Sequence, residues 1–390
     1  MHVVLLTPFY PPMVSGAAEY VADVAEGLVK AGHRVTVVMG QGEAGLRWHR
    51  GIRVDTVRSK IRGATSAMMA MRAVQIHLRD SVDLVVSGTA QPTGFVAATV
   101  AAAIRRPLVV VALGEDVSVG HTSRFARACL WMTFRRSRHV MAASDFTMRE
   151  VLAFGGSLER CSIVHPGIDV DRFLENRGAP RAETRRRLGL DGRHVVLTVA
   201  RLEERKGHDI VLDAIHRVLF DHPDVHYLIV GYGDDKRLRD MADKWGINDR
   251  LTIVPHMSED ELTDAFAAAD VFAMTSRPGP RGEVEGFGIV YLEAAATGLP
   301  CIAGSLGGCS DAVVDGVTGW CVDPLDPAAV AAALNSILDD SDKARRMGQS
   351  GRQRVCESFT KSALQCRIVE ILENAADGGT VGRSVVKRRC

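Results

Sequence analysis

The sequence predicts an α/β protein built from two doubly wound, Rossmann-like domains. Its 390 residues exceed what a single hydrophobic core usually holds. Short β-branched apolar runs alternate with longer helical segments, which is typical of parallel strands joined by helices. The alternation stops in a loop-like stretch around 166–192 and then begins again, so two βα series follow one another along the chain.

The predicted elements fall into these two series. The first has strands at residues 3–6, 35–38, 84–86, 108–112 and 139–142 and helices at 20–31 and 94–104. The second has strands at 195–199, 227–230, 251–254, 271–273 and 300–303 and helices at 208–220, 236–244, 259–268, 290–297 and 327–339. We therefore expect domains at 1–170 and 171–359, a final helix at about 360–375 that packs back on the first domain, and a disordered tail at 376–390.

The composition argues against several classes of protein. A net charge of +1 gives no basis for nucleic-acid binding. The eight cysteines include no Cys-x-x-Cys pair, so we expect reduced core residues in a cytoplasmic protein. The N-terminus lacks a basic lead and is predicted to be a strand, and no apolar stretch reaches the ~20 residues of a membrane span. Nothing in the sequence indicates an oligomeric state.

Two carboxylates flank a Gly-Phe-Gly turn in the second series. The turn, Gly286-Phe287-Gly288, is predicted to lead into a helix whose first backbone amides form an anion site. Glu285 precedes this helix, and Glu293 lies about one and a half turns inside it. Such a pair can hold two parts of one elongated ligand. A capping acid plus a solvated glutamate explains the two residues about equally well.

Cations follow the predicted strand at 195–199. Arg201 leaves the strand end, and Arg205 and Lys206 enter the next helix, where cations beside free amides suit a diphosphate. An exposed basic loop is the commoner role for three such residues. After the strand at 227–230, Gly231 offers a second close approach of the backbone to a ligand, although a lone Gly-x-Gly is a weak motif.

The cations and the carboxylates together indicate one ligand. Carboxylates accept hydrogen bonds from vicinal hydroxyls, as the acidic residue of dinucleotide folds does for ribose. The combined ligand is a nucleoside diphosphate-sugar, expected in a central cleft between two facing domains. In the first series Gly16, in a loop that also contains Tyr10, lets the backbone approach a phosphate or an acceptor. A plain turn explains this glycine equally well.

These motifs resemble those of the retaining GT-B glycosyltransferases of family 4, over about residues 1–375. Glu-x7-Glu matches at 285 and 293, and Arg-x4-Lys matches at 201 and 206. The interdomain loop at 166–173 and the glycines at 307, 308, 316 and 319 match as well. Arg-Lys-Gly-His-Asp, Val-Glu-Gly-Phe-Gly-Ile-Val-Tyr-Leu-Glu-Ala and Tyr-Pro-Pro-x-x-x-Gly are most similar to the phosphatidylinositol mannosyltransferases.

The resemblance implies a role for each matched residue. Arg201 and Lys206 neutralise the diphosphate and stabilise the leaving group, so no metal and no separate cofactor is required. Glu293 binds the ribose hydroxyls. Glu285 holds the transferred sugar, together with the segment Phe287-Gly288-Ile289. The acceptor approaches beside the departing phosphate, and an oxygen of that phosphate serves as the base.

Leu113 departs from the family pattern. The chain reads Ala112-Leu-Gly-Glu-Asp where the family carries His-Gly-x-Glu/Asp, and the histidine is expected to hydrogen-bond the 6-hydroxyl of a hexose donor. A leucine leaves that hydroxyl poorly satisfied. Either the donor is altered at C6, which we favour slightly, or Glu115 or Asp116 replaces the lost contact; an inactive enzyme is disfavoured because the diphosphate residues are intact. Tyr10, Leu113, Glu115 and Asp116 are the candidates for the acceptor or sugar pocket.

Two other segments have competing interpretations. Residues 124–136 mix arginines with large apolar groups, which suits an anionic membrane at its inner face. A helix packed on the first-domain sheet is the favoured alternative. Asp169-Val-Asp171 spells the metal motif of another glycosyltransferase architecture, but its place in the interdomain loop favours a structural role.

The sequence thus predicts a retaining glycosyltransferase. We expect transfer from a nucleoside diphosphate-sugar, with a GDP-sugar favoured over a UDP-sugar, to a small-molecule acceptor in natural-product biosynthesis. A mannosyltransferase acting on a phosphatidylinositol-type lipid or a cell-envelope glycan is the alternative. A nucleotide-sugar isomerase and a non-catalytic binding protein on the same architecture are further alternatives.

Overall fold

A computed structural model describes residues 1–13, 15–42, 45–61, 63–174 and 181–379. Its backbone contacts separate two units. Unit 1 contains Met1–Gly167, Arg281–Gly286 and the chain from Lys361 onward, and unit 2 contains Ile168–Pro280 and Phe287–Thr360. Of the tail that was expected to be disordered, 376–390, residues 380–390 lie outside the described part of the chain.

Unit 1 is built on an eight-stranded sheet. Its strands are β1 (His2–Thr7), β2 (Arg34–Met39), β3 (Gly45–His49), β4 (Ile52–Thr56), β5 (Leu84–Ser87), β6 (Leu108–Ala112), β7 (His139–Ala142) and β8 (Cys161–Ile163). They lie in the order β3-β4-β2-β1-β5-β6-β7-β8, and the β3–β4 pair at one edge is antiparallel while the other pairs are parallel. Most of the parallel strands are buried along their whole length, as a sheet covered on both faces requires.

Helices cover both faces of this sheet. They are α1 (Gly16–Lys30), α2 (Ala64–Arg79), α3 (Thr93–Ile104), α4 (Glu115–Ser118), α5 (Arg124–Arg136) and α6 (Asp145–Ala153). The helix α1 begins where Ser15 caps it, because the Ser15 hydroxyl accepts a hydrogen bond from the Ala18 amide at 3.1 Å. Its buried side chains join one of the two apolar clusters of unit 1, and α3 contributes to the other.

Unit 2 has a six-stranded parallel sheet. The strands are β9 (His194–Val199), β10 (Val225–Val230), β11 (Leu251–Val254), β12 (Val271–Met274), β13 (Cys301–Gly304) and β14 (Gly319–Val322), in the order β11-β10-β9-β12-β13-β14. The order reverses on either side of β9, since β10 lies on one flank and β12 on the other. Ligands of doubly wound sheets bind at such a reversal, beyond the carboxyl ends of the strands.

The helices of unit 2 pack on both faces of its sheet. They are α7 (Val170–Leu174), α8 (Arg181–Leu188), α9 (His208–Val218), α10 (Lys236–Lys244), α11 (Glu259–Ala268), α12 (Ile289–Ala296), α13 (Cys309–Ala312), α14 (Pro327–Leu338) and α15 (Ser341–Ser358). The helix α11 starts with a capping box formed by Ser258 and Glu261. The helix α15 is strongly polar and approaches its neighbour through Gly348, where a Cβ atom would lie 1.8 Å from the Gly298 carbonyl oxygen.

The last helix, α16 (Lys361–Ala376), belongs to unit 1. Five of its apolar side chains enter the cluster that α1 and the sheet form, namely Leu364, Ile368, Ile371, Leu372 and Ala375. Polar contacts fix the two helices further. The Lys361 ammonium lies 2.6 Å from an oxygen of Asp23 and 3.1 Å from one of Glu26, and Lys30 donates to Gln365 at 2.9 Å.

The predicted fold class is confirmed, since both units are doubly wound α/β structures. Each of the ten predicted strands and each predicted helix is present, with bounds that differ by a few residues. Among the described elements, those that were not predicted are the strands β3, β4, β8 and β14 and the helices α2, α4, α6, α7, α8, α13 and α15. The expected cleft between the domains stays a prediction.

The expectation of reduced cysteines holds for six described residues and fails for one. Cys129, Cys161, Cys301, Cys309, Cys321 and Cys356 carry no disulfide. Cys366, on α16, is disulfide-bonded, contrary to the prediction. Among the described helices, none combines the length and apolar character that crossing a bilayer requires.

Candidate active site

Three neighbouring strands of unit 2 carry the predicted donor residues at their carboxyl ends. Arg201 follows β9, Gly231 follows β10 directly, and the loop that leads to α12 leaves β12 at Thr275. Because β9 lies between β10 and β12 in a parallel sheet, these loops leave the same edge side by side. The sheet therefore gathers the matched motifs of unit 2 at one edge.

Arg201 is held from both its backbone and its side chain. Its carbonyl oxygen lies 3.0 Å from Nε2 of His208, the first residue of α9. Its guanidinium, 48% exposed, lies 2.5 Å from an oxygen of Glu203, and the second oxygen of Glu203 accepts from Nε of Arg205 at 2.8 Å. Glu203 thus bridges an accessible arginine and a buried one, and it orients Arg201 at the end of β9.

His208 acts here as a neutral hydrogen-bond donor. Burial lowers the pKa of its imidazole, and this outweighs the hydrogen bond to the Arg201 carbonyl, which raises it. Since a carbonyl oxygen can only accept, Nε2 carries the proton and Nδ1, 3.5 Å from the Tyr227 hydroxyl, is the unprotonated nitrogen. A neutral ring keeps the anchor of Arg201 constant across the physiological pH range.

Lys206 lies in a short 3₁₀ turn, Glu204–Lys206, that precedes α9, so it does not enter the helix as expected. Gly207 follows with a φ of 73°, and a Cβ atom there would lie 2.2 Å from the carbonyl oxygen of Thr275. The loops after β9 and β12 therefore touch backbone to backbone, which only glycine permits. This contact fixes the position of the backbone at Lys206 relative to the loop that leads to α12.

One arginine that the sequence did not single out, Arg277, stiffens this edge with a largely buried side chain. Arg277 lies 3.0 Å from an oxygen of Asp209 and 3.2 Å from one of Glu204, and its amide donates to the Arg205 carbonyl at 2.8 Å. Arg277 sits in a Ser-Arg-Pro-Gly-Pro stretch, which looks like any exposed loop. Arg205, one of the three cations that the sequence singled out, is buried in the 3₁₀ turn rather than in α9, and its guanidinium binds Glu203.

Gly231 lies close to neighbouring backbone, and its expected approach to a ligand stays a prediction. Its φ is 158°, close to extended backbone, and a Cβ atom would lie 1.9 Å from the Ala200 carbonyl oxygen. The next residue, Tyr232, accepts at its carbonyl from the Leu202 amide at 2.9 Å and leaves its ring 54% exposed beside the end of β9. The loop after β10 therefore presents an accessible aromatic residue, and its backbone is bound to the loop after β9.

The helix α12 and the turn before it contain the other residues of unit 2 that are predicted to bind the nucleotide-sugar. Phe287 is buried, Gly288 caps the helix with a φ of 86°, and Ile289 is the first helical residue. Glu293 is half-buried on this helix. Tyr291 donates from its hydroxyl to the Met274 carbonyl, which ties α12 to the end of β12.

Glu285 belongs to unit 1, within the segment Arg281–Gly286. In that segment Glu283 is buried and accepts from the amide and from Nε of Arg281, at 3.0 and 2.8 Å. Glu285 itself is half-buried. The following residue, Gly286, lies directly against the turn at Leu113 and Gly114.

The candidates for the acceptor or sugar pocket differ in accessibility. Tyr10 is fully buried, with its ring edge-on to His49 at 5.7 Å. The Leu113 side chain is partly buried and packs against the apolar cluster of α1 and α16. Glu115 is exposed at the start of α4. Gly16 opens α1.

Asp116 is bound by three backbone amides. One carboxylate oxygen accepts from Leu113 at 2.8 Å and Gly114 at 3.0 Å, and the other accepts from Ala90 at 2.5 Å. Burial raises the pKa of this carboxyl to about 6, although the three hydrogen bonds act in the opposite direction. The residue thus stabilises the turn after β6.

In the described parts of the chain, no group of three or more His, Cys, Asp or Glu is arranged to hold a metal ion. Asp169 and Asp171 are exposed next to and within the short helix α7.

Comparison with known proteins identifies the class. The model of glycosyl transferases group 1 matches residues 180–354, and that of glycosyltransferase family 4 matches residues 14–172. The GDP-mannose-dependent α-(1-6)-phosphatidylinositol monomannoside mannosyltransferase of Mycolicibacterium smegmatis is 30% identical over 95% of this chain and 98% of its own. The D-inositol 3-phosphate glycosyltransferase of Thermobispora bispora is 34% identical over 56% of this chain and 51% of its own.

Solved structures share the fold. A crystal structure of Anabaena HepE in complex with UDP superposes with a TM-score of 0.82 at 22% identity, covering 96% of this chain and 100% of that one. Sucrose-phosphate synthase from Thermosynechococcus elongatus gives a TM-score of 0.80 at 19% identity, covering 97% and 100%. Two Rossmann-like units with this edge of charged loops define a GT-B glycosyltransferase. The chain belongs to glycosyltransferase family 4.

Proposed function

We propose that the protein transfers a hexose from a GDP-sugar, with retention of configuration and without a metal ion, to a lipid-linked or small polyol acceptor. The observation that carries the proposal is that the loop of Arg201 and Lys206 leaves the same edge of the unit 2 sheet as the loop that leads to α12, the helix of Glu293. Cations suit the diphosphate and the carboxylate suits ribose hydroxyls. The GDP-mannose dependence in the name of the mycobacterial relative favours guanine as the base.

The proposed reaction needs little chemistry from side chains. The bond between the anomeric carbon and the diphosphate oxygen breaks, and a bond to the acceptor hydroxyl oxygen forms on the same face of the sugar. The acceptor proton passes to the departing phosphate oxygen. Arg201 and Lys206 stabilise the charge that develops on this leaving group, and Glu285 holds the sugar hydroxyls.

The acceptor is proposed to be associated with a membrane surface. The helix α5 buries Cys129, Leu130, Thr133 and Phe134 against unit 1. Its other face exposes Phe125 (79%) and Trp131 (53%) among arginines at 124, 127, 135 and 136. Exposed aromatic rings among cations suit an anionic lipid surface. This favours the lipid acceptor over the natural-product acceptor, for which the relatives named above offer no support.

Lys206→Ala tests the donor assignment. We expect the transfer rate to fall at least ~100-fold and GDP binding to weaken about 10-fold, because the leaving-group charge loses one partner. The measurement combines calorimetry with GDP and release of GDP from GDP-mannose on vesicles that contain phosphatidylinositol. Lys244→Ala, which removes an exposed lysine of α10, is the matched control and should change neither quantity.

Near-normal transfer by the Lys206→Ala protein would contradict the assignment. Turnover of GDP-mannose without acceptor and without release of GDP would instead favour the isomerase. A screen of thermal stability with GDP, UDP and their sugars identifies the base.

A further inference from the structure

Gly286 and the turn after β6 meet backbone to backbone within unit 1. A Cβ atom at Gly286 would lie 1.7 Å from the carbonyl oxygen of Leu113, and one at Gly114 would lie 2.4 Å from the Cα atom of Gly286. Gly114 also has a φ of 108°, which L side chains rarely adopt. The two glycines therefore allow a contact that any side chain would push apart, and Glu285 is the residue next to it.

The carboxylate of Asp116 fixes the turn that makes this contact. One of its oxygens accepts hydrogen bonds from the two backbone N–H groups of the turn, those of Leu113 and Gly114. Its other oxygen accepts from the N–H group of Ala90, in the loop after β5. All three partners are donors, so the side chain must present acceptors on both oxygens. An ionised aspartate does this, whereas asparagine or a protonated acid places a donor against one of the N–H groups.

We propose that Asp116 is a positioning residue for Glu285. The Asp116 carboxylate fixes the position of the Leu113 and Gly114 peptides, and these peptides fix the position of Gly286. Because Glu285 adjoins Gly286, its carboxylate, which holds the transferred sugar, is positioned as well. The inference rests on the proposed function, because the role of Glu285 belongs to it. It also replaces the expectation that Asp116 contacts the sugar directly, since both oxygens of Asp116 already bind backbone.

The same geometry explains why a leucine is tolerated at position 113. The contact with Gly286 uses the Leu113 carbonyl, and the contact with Asp116 uses its amide. Every residue except proline supplies both groups. The side chain packs against the apolar cluster instead, so its identity can change without moving Glu285.

A double-mutant cycle with Asp116→Asn and Glu285→Gln tests the inference. We expect Asp116→Asn to lower kcat about 10-fold or more, with GDP affinity unchanged within 2-fold because the diphosphate residues belong to unit 2. In the Glu285→Gln protein, adding Asp116→Asn should lower kcat by less than 3-fold, because the residue that Asp116 positions no longer has its carboxylate. Asp145→Asn, an exposed aspartate of α6, is the control and should leave kcat unchanged.

Equal losses in both backgrounds would overturn the inference, and so would unchanged kcat in Asp116→Asn. If Asp116→Asn fails to fold, as shown by its thermal unfolding, Gly286→Ala replaces it in the cycle with the same expected pattern. Failure of the proposed function is recognised separately, because the unmodified protein would then neither bind GDP nor transfer a sugar.

Discussion

Leu113 makes two separable contributions, one through its backbone and one through its side chain. The carbonyl lies against Gly286 whatever the side chain is. We propose that the side chain determines whether the 6-hydroxyl of a hexose donor finds a hydrogen-bond partner. A buried hydroxyl without a hydrogen bond costs about 1–3 kcal/mol. The unmodified protein should therefore prefer a donor that lacks this hydroxyl.

Leu113→His should shift the preference toward the ordinary hexose. We expect the ratio of kcat/KM for GDP-mannose to that for its 6-deoxy analogue to rise about 10-fold or more, because the imidazole supplies the missing hydrogen bond. Steady-state kinetics with both donors measures this ratio. Leu113→Met keeps the position apolar and serves as the control. An unchanged ratio in Leu113→His would refute a C6-selective pocket.

The matched motifs were predictable from sequence, but the residues that hold them were not. Arg201, Lys206 and Glu293 stand in fixed spacings along the chain, so a single sequence shows them. His208 and Arg277 reach the site only through the folded loops after β9 and β12. Their positions depend on contacts such as Gly207 against Thr275, which no local pattern encodes.

At the level of secondary structure, α5 has one face in the core and one in solvent. The predicted packing on the sheet describes one face, because the apolar residues at 129, 130 and 134 are buried. The alternative, contact with a membrane, concerns the other face, where the arginines and two aromatic rings are exposed. Neither face could be chosen from the sequence because the helix contains enough apolar residues for two surfaces.

Replacing both exposed rings of α5 should release the protein from anionic vesicles. We expect Phe125→Ser with Trp131→Ser to weaken binding to vesicles containing phosphatidylinositol at least 10-fold, through lost apolar burial. Sedimentation with vesicles at low and at high salt measures it, and the arginine contribution should fall with salt. Phe220→Ser, which removes a ring 93% exposed in unit 2, is the control. Equal binding by both proteins would argue against a membrane-facing α5.

Strands with a long buried apolar run were predicted, whereas an edge strand and a helix that packs through glycine were missed. The parallel strands β1, β6 and β9 are nearly continuous Val and Leu. The edge strand β3 reads Gly-Leu-Arg-Trp-His, and α15 is largely polar and packs through Gly348 and Gly351. Packing by glycine leaves no hydrophobic period in the sequence.

At the level of the whole molecule, a charged cluster fastens the last helix to the first. Burial raises the pKa of Asp23 to about 6, against the opposing effect of Lys361. A folded-state pKa above the unfolded value means that this carboxyl contributes most to stability when protonated, at low pH. That contribution is lost as the pH rises through about 6.

Lys361→Met should therefore destabilise the protein in a pH-dependent manner. Without its partner, Asp23 is buried and charged at pH 8, which costs about 3 kcal/mol, but it is protonated at pH 5 and costs little. Thermal unfolding at both pH values measures the difference. Lys30→Met removes the hydrogen bond from α1 to Gln365 of α16, which involves no carboxylate, so its effect should be the same at both pH values.

The return of α16 to unit 1 determines how this chain can be recombined with its relatives. A hybrid gene that exchanges only residues 1–167 would combine one parent's sheet with the other parent's closing helix, and Leu364, Ile368 and Ile371 would then meet a foreign surface. To exchange the whole of unit 1, the parent that supplies residues 1–167 must supply 281–286 and 361–376 as well. Unit 1 thus consists of three separate segments of the sequence, and a single crossover cannot exchange all three.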